Sequence, residues 1–332
     1  MSLLNVSIVI PVYRGEHTLP ALMAELEHLT TEQHTSQGRT FIVQEVLLIW
    51  DRGPGQSDQT LRGIQTQYPW VRVIWLSRNF GQHAATLAGM TSAGGDWIVT
   101  MDEDGQQDPG FIANMIDVAY ESQAQLVYAT PSNRPPHSLL RNTSSRFAKR
   151  LFAGALAEGE FAEFNSYRLI LGEIGRSVAA YTGTGVYLDV ALSWVVADVA
   201  TCPVTARAEG RDASNYNYRR LIGHFGRLIV SAGTKPLYFV SWLGVLFVLL
   251  GAAVSVWVLY QRVTGEIVIA GWASTFIALM LIGGAILLSL GIIAQYVGAA
   301  TNMSLGKPLY VVVRDPQLTF EQDTPNTRAN DS

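Results

Sequence analysis

The chain has 332 residues, of which 48% are hydrophobic and only 15% charged, with a formal net charge of −4 from 23 Lys+Arg against 27 Asp+Glu. Soluble domains average about 25% charged residues. This composition excludes a disordered chain, a collagen-like repeat and a small disulfide scaffold, and the absence of a basic excess argues against a nucleic-acid binder. The single cysteine, Cys202, rules out an intrachain disulfide and a thiolate metal cluster.

Met1–Tyr13 carries neither a basic n-region nor a long apolar core and reads as a strand, not a secretory signal. The expectation is that the N-terminal half stays in the cytosol. Val6–Val12 is a β-branched run. Leu19–Leu29 has helical spacing at Leu19, Leu22, Met23, Leu26 and Leu29. Val46–Trp50 and Val71–Leu76 are strand-like, Ala84–Ala93 is helix-like, and Trp97–Met101 is a further strand. This alternation predicts βαβ units around a mainly parallel sheet, with function at the carboxyl ends of the strands.

No G-x-G-x-x-G follows a strand, and neither a G-x-x-x-x-G-K-[ST] loop nor H-E-x-x-H occurs. The strand ends are acidic instead: Asp51, then Asp102-Glu103-Asp104. Strand alternation points residues i and i+2 to one side, which predicts that Asp102 and Asp104 together hold Mg²⁺ or Mn²⁺. Such a cation would neutralise a departing diphosphate. An ordinary acidic turn is the plainer alternative. Asp108 reads as a cap ahead of Pro109, and Trp50 and Trp75 as core or pocket-wall aromatics. His83 is given no role beyond packing or capping near Asn79. Arg134, Arg141 and Arg168 stand open between surface ion pairs and functional contacts.

The second half loses its charges. No Asp, Glu, Lys or Arg occurs in 236–261 or in 267–306. Within these runs, 237–260 and 272–297 exceed the length of about 20 apolar residues that a bilayer crossing needs. Arg219, Arg220, Arg227 and Lys235 precede the first run, and Lys307 and Arg314 follow the second. The linker 261–271 carries Arg262 and Glu266. The positive-inside rule puts both flanks in the cytosol and the linker outside. Upstream, Tyr218–Ile229 sets Leu221, Ile222, Phe225 and Leu228 against Arg219, Arg220, His224 and Arg227, the pattern of a basic amphipathic helix on a membrane. A looser version surrounds Leu140, Phe147 and Leu151. The implied organisation is a catalytic domain at 1–208, a juxtamembrane helix at 209–235, two spans within 236–300, and a strand with a polar tail at 301–332.

Three strings occur in order: Ser7 to Tyr13 (SIVIPVY), Leu76 to Gly81 (LSRNFG) and Met101 to Pro109 (MDEDGQQDP). Together they resemble the GT-A family 2 glycosyltransferases, and most of all the polyprenyl-phosphate glycosyltransferases. Arg207-Ala208-Glu209-Gly210 with Ser214-Asn215-Tyr216, and Lys307 to Val312 (KPLYVV), extend the resemblance over roughly residues 5 to 313. It implies an α/β GT-A catalytic domain with a two-helix membrane hairpin in the bacterial inner membrane, with the domain and both termini cytosolic. It also implies inverting transfer from a nucleotide sugar, taken to be UDP-linked, to undecaprenyl phosphate. Pro11, Tyr13, Glu16, Asp51, Arg78, Asn79 and Asp102 would bind the donor. Asp102 and Asp104 would hold the metal, with Gln106 and Arg168 beside them in the catalytic set. Arg134, Arg141, Arg207, Ser214 and Tyr216 would face the acceptor phosphate.

The 50–58 loop, with Gly53-Pro54-Gly55, departs from the family pattern. So does Ser166-Tyr167-Arg168-Leu169, where many relatives have Asp-Phe-Arg-Leu. A phosphate acceptor is mostly dianionic at neutral pH, with a second pKa of about 6, and needs no general base. Two competing readings are a processive polysaccharide synthase, whose Q-x-x-R-W motif and additional spans are missing here, and a non-catalytic membrane scaffold. Self-association through pairing of the terminal strand 310–313 with a neighbour's sheet edge is a further expectation.

Overall fold

A computed structural model of the protein describes residues 3–132, 165–183, 186–205, 207, 272–306 and 308–317, with Leu249, Ala253, Val256, Trp257, Tyr260 and Thr264. The strands are β1 (Leu4–Val12), β2 (Gln33–His34), β3 (Thr40–Trp50), β4 (Val71–Leu76), β5 (Trp97–Thr100), β6 (Leu126–Pro131), β7 (Arg168–Leu171), β8 (Val199–Val204) and β9 (Val312–Val313). The helices are α1 (Leu19–Glu27), α2 (Ser57–Gln67), α3 (Gln82–Ser92), α4 (Ile112–Glu121), α5 (Gly172–Tyr181), α6 (Leu188–Val195) and α7 (Trp272–Ser304).

The strands form one sheet in the order β8-β6-β7-β5-β1-β3-β4-β9, with β2 paired to β3. Its centre is parallel: β1 lies between β3 and β5, and β4 continues beyond β3. β7 runs antiparallel between β5 and β6, a reversal that the simple βαβ expectation did not include. β1 thus sends its successors to opposite sides, β3 one way and β5 the other. That strand-order reversal opens a crevice at the carboxyl ends of the strands.

Strand alternation distributes the apolar side chains over two cores. Ile8, Ile10, Val46 and Leu48 meet α1, α2 and α4 on one face, while Val9, Leu47 and Ile49 meet α3, α5 and α6 on the other. α3 sits close to the sheet because Gly89 has no side chain. A Cβ there would press on Val9 and lie 2.6 Å from Ile49 Cδ1.

β3 begins six residues before the expected run because polar Gln44 and Glu45 interrupt its apolar pattern. The β1–β3 register shifts at this point, so Gln44 is the extra residue of a bulge. Glu45 is satisfied there by Ser7 Oγ at 2.8 Å and the Gly94 N–H at 2.7 Å. Trp50 and Trp75 meet edge to face at 5.2 Å at the end of β3 and β4, as core aromatics.

α7 is one continuous helix of 33 residues without Asp, Glu, Lys or Arg, about 50 Å long at a rise of 1.5 Å per residue. Leu279, Ile282, Ile286, Leu290, Ile293 and Val297 are exposed on it. Counted over described side chains alone, no helix is long and apolar enough to cross a membrane. Most of the first expected span, and the amphipathic segments around 140–151 and 218–229, lie outside the described residues.

β9 pairs with β4 of its own chain, Leu76 with Val312 and Trp75 with Val313, and is the last strand at that end of the sheet. Ser77 N–H donates to Val311 O at 2.9 Å, and Leu309 and Tyr310 pack on the α3 side of the sheet. The chain therefore returns to the catalytic sheet after α7.

Candidate active site

The ends of β1, β3, β4 and β5 converge on a cavity of about 380 Å³ lined by Pro11, Val12, Tyr13, Asp51, Asn79, Gly81, Gln82, Asp102 and Glu103. Most of the sequence-predicted donor residues meet here, contributed by different strands, as the crevice topology requires.

Asp51 follows β3 and is buried, with 4% of its surface exposed. Its two oxygens accept the N–H groups of Phe80 at 2.7 Å and Gly81 at 2.8 Å. Burial pushes its pKa up, while these two amides and the Arg78 charge pull it back. Asp51 therefore clamps the loop after β4 as well as lining the cavity. Gly81 takes a φ of +94° at this turn, a conformation that disfavours any side chain. Arg78 lies over the Phe80 ring, 4.3 Å from its centroid.

The acidic turn is tied to the end of β1 by its middle residue. Glu103 accepts from Tyr13 N–H and Arg14 N–H, each at 2.9 Å. Glu16 sits one step back and accepts from Ser57 Oγ at the start of α2.

Asp102 and Asp104 are adjacent in space for a different reason from the one the sequence suggested. β5 stops at Thr100, so both aspartates lie beyond the pleat, on a turn containing Gly105 at φ +72°. Asp102 accepts from Gln82 Nε2 at 2.6 Å through Oδ1, and from Gln107 Nε2 at 3.0 Å and Ser166 Oγ through Oδ2. Burial raises its pKa most, and the Asp104 charge adds to this; Ser166, Arg168 and Gln107 oppose the shift. Asp104 Oδ1 accepts the Gln106 N–H at 3.0 Å. Among the described residues no group of three His, Cys, Asp or Glu side chains is gathered to hold a metal.

Arg168 lies buried on β7. Its Nε donates to Thr100 Oγ1 at 3.1 Å, and its Nη1 pairs with Asp189 on α6. Its charge is thus balanced inside the protein, next to Asp102. Arg207 donates its backbone N–H to Gln106 O at 3.0 Å, and its guanidinium reaches Glu25 at 2.7 Å and Asp108 at 3.2 Å. It braces the acidic loop against α1. Asp108 also caps the turn at Pro109 through the Gly110 N–H, as expected. His83 packs edge-on against Tyr187, with ring centroids 4.4 Å apart. Arg134, Arg141, Ser214 and Tyr216 lie outside the described residues.

Gln82, Glu103, Gln107, Ser166 and Asp189 were not singled out for these contacts. Glu103 and Gln107 sit inside the acidic string, but only the turn shows that their side chains bond backward. Asp189 lies 21 residues from Arg168, at a distance no local pattern connects.

The sequence matches Glycosyl transferase family 2 over residues 7–187, and the chain belongs to that family. It is an enzyme of the transferase class. An undecaprenyl-phosphate 4-deoxy-4-formamido-L-arabinose transferase from Klebsiella pneumoniae is 26% identical over 96% of this chain and 97% of its own. The uncharacterized glycosyltransferase YkcC of Bacillus subtilis is 26% identical over 92% of each. Among solved structures, the mannosyltransferase PcManGT of Pyrobaculum calidifontis, in complex with GDP-Man and Mn²⁺, superposes with a TM-score of 0.50 at 15% identity, covering 93% of this chain and 89% of that one. That likeness defines the fold.

Proposed function

We propose that this glycosyltransferase moves a sugar from a UDP-linked donor to a polyprenyl phosphate, with inversion, at the cytosolic face of the bacterial inner membrane. The observation that carries the reading is the 380 Å³ cavity at the strand ends, with Asp102 on its wall and Asp104 two residues further on. The Klebsiella relative, named for transfer to undecaprenyl phosphate and matched nearly end to end, supports the acceptor class.

The donor set suits a divalent cation. The two carboxylates of Asp102 and Asp104 match the way Mg²⁺ or Mn²⁺ is shared between one or two carboxylates and substrate phosphates. When bound, the cation neutralises charge on the leaving diphosphate. The protein's own side chains do the positioning. Asp51 holds the 80–81 amides in place, Glu103 fixes the acidic turn to β1, and Gln82 and Gln107 orient Asp102.

Ser166 bears on the acceptor. Its hydroxyl is bonded to Asp102 and Gln107 and is no general base. A phosphate monoester brings its own charged oxygen, so positioning alone suffices for its attack on the anomeric carbon.

Membrane attachment follows from the two uncharged runs and the basic flanks. β9 docks on β4, so the chain on either side of 236–306 belongs to one sheet. Any crossings between them must then be even in number, consistent with a hairpin.

The test is transfer from radiolabelled nucleotide sugars to undecaprenyl phosphate in membranes containing the protein. Lipid-linked sugar should form with Mg²⁺ or Mn²⁺ and vanish in EDTA. Failure of every donor to label the lipid, or equal labelling in EDTA, would overturn the reading.

A further inference from the structure

The chain that follows α7 is bonded to three elements that carry or brace the walls of the donor cavity. α7 ends at Ser304, and residues 305–308 are all that separates it from Leu309, which packs on the α3 side of the sheet. Val311 O accepts the Ser77 N–H at 2.9 Å, at the start of the loop that carries Asn79 into the cavity. Tyr310 Oη and Thr91 Oγ1 share a hydrogen bond of 2.9 Å on α3, the helix whose first residue, Gln82, bonds Asp102. Asp315 accepts two bonds from Arg62 on α2, the helix whose first residue, Ser57, bonds Glu16.

These contacts converge on the same loops. The 77–81 loop is held at one end by Val311 O and at the other by Asp51, which accepts the Phe80 and Gly81 N–H groups. Asp51 directly follows Trp50, which meets Trp75 edge to face, and the Arg62 guanidinium covers the Trp75 ring. A packed line thus runs from Asp315 through Arg62, Trp75 and Trp50 to Asp51 and the cavity wall. Close-packed side chains and ion pairs have few alternative arrangements, so a shift at one end of such a line is felt at the other.

We infer that the segment Leu309–Asp315 is a strap that holds the donor cavity in its binding shape and ties that shape to α7, with Tyr310 and Asp315 as positioning residues for donor binding. The inference rests on the donor reading above and deepens it, since neither residue lines the cavity. A loop pinned at both ends has less freedom left to lose when a ligand orders it, so the pinning is read as affinity. The acidic turn is braced separately, by Glu103 on the end of β1 and by Arg207 on Gln106. Loosening the strap therefore weakens donor binding and leaves turnover at saturating donor nearly intact.

Equilibrium binding of labelled UDP to the full-length protein in detergent with Mg²⁺ tests this, at a temperature well below the melting transition of every variant. Tyr310→Phe and Asp315→Asn should each weaken UDP binding about threefold, the scale of substitutions along a coupled network. The double variant should lose about tenfold, with donor KM rising in step and kcat staying within about twofold. Asp315→Glu, which keeps the charge, should retain most of the affinity. Tyr310→Phe removes one oxygen and keeps the ring, so it carries the test if Asp315→Asn proves unstable. A lower melting temperature with unchanged UDP affinity would mean that the segment serves stability alone; it would overturn the strap and leave the donor reading standing. Absence of UDP binding by wild type would overturn the donor reading and this inference with it.

Discussion

Arg62 on α2 and Asp315 beyond β9, 253 residues apart, are joined by two hydrogen bonds of 2.8 and 2.9 Å. Arg62 also holds Asp58 at 2.9 Å and lies over Trp75, 5.0 Å from the ring centroid. The segment that follows α7 is thus fastened to the helix whose first residue, Ser57, bonds Glu16 beside the donor cavity. Asp315→Asn should destabilise the protein by about 1 kcal/mol, the pair being partly solvated. The Arg62 guanidinium holds the Asp315 pKa below the usual carboxylate range. Its contribution is therefore present above the unfolded carboxylate pKa of about 3.9 and lost as pH falls through the lower folded value. Thermal melts from pH 7 down to 2.5 should show the mutant and wild type converging at the acid end.

Asp104→Ala should lower transfer by about a hundredfold or more, the scale expected when stabilisation of leaving-group charge is removed. The protein should stay folded, since among the described residues Asp104 is held by the local bond from Gln106 N–H. Initial rates at saturating donor check this; unchanged turnover would deny the acidic turn its role.

Asp51→Ala strands the Phe80 and Gly81 amides next to the donor cavity. Hydrogen bonds to a charged group are worth about 1.5–3 kcal/mol each in stability, so a marked fall in melting temperature is expected. The loop that carries Asn79 loosens with it, and KM for the donor should rise more than kcat falls.

Ser166→Ala removes a bond to Asp102 but no base. The expected loss in kcat is below about tenfold, whereas losing a true general base costs about 10²–10⁴. A drop in that larger range would show that the reaction needs proton abstraction at this position.

A reporter fused within 261–271 should be found on the side of the membrane opposite to the catalytic domain. A linker on the catalytic side would dismantle the hairpin.

The sequence by itself determined the class of fold, where the main strands run and the acidic string that follows β5. These are local properties: apolar runs of strand length, their spacing, and short strings of residues fixed by turn geometry. Val71–Leu76 is a strand as its pattern requires, and Leu19–Glu27 is a helix on the stripe that Leu19, Leu22, Met23 and Leu26 define. The sequence also located the uncharged runs, because charge depletion needs no tertiary context. Only the tertiary structure decided what each charged group faces. Folding set Arg168 against Asp189, and Arg207 against Glu25 and Asp108. β9 found its place beside β4, as the last strand of the sheet, only on folding. The reason is physical: a buried charge takes its meaning from its partner, and partners separated by 21, 182 or 253 residues are brought together by the closing of the sheet and its helices, which no local pattern encodes.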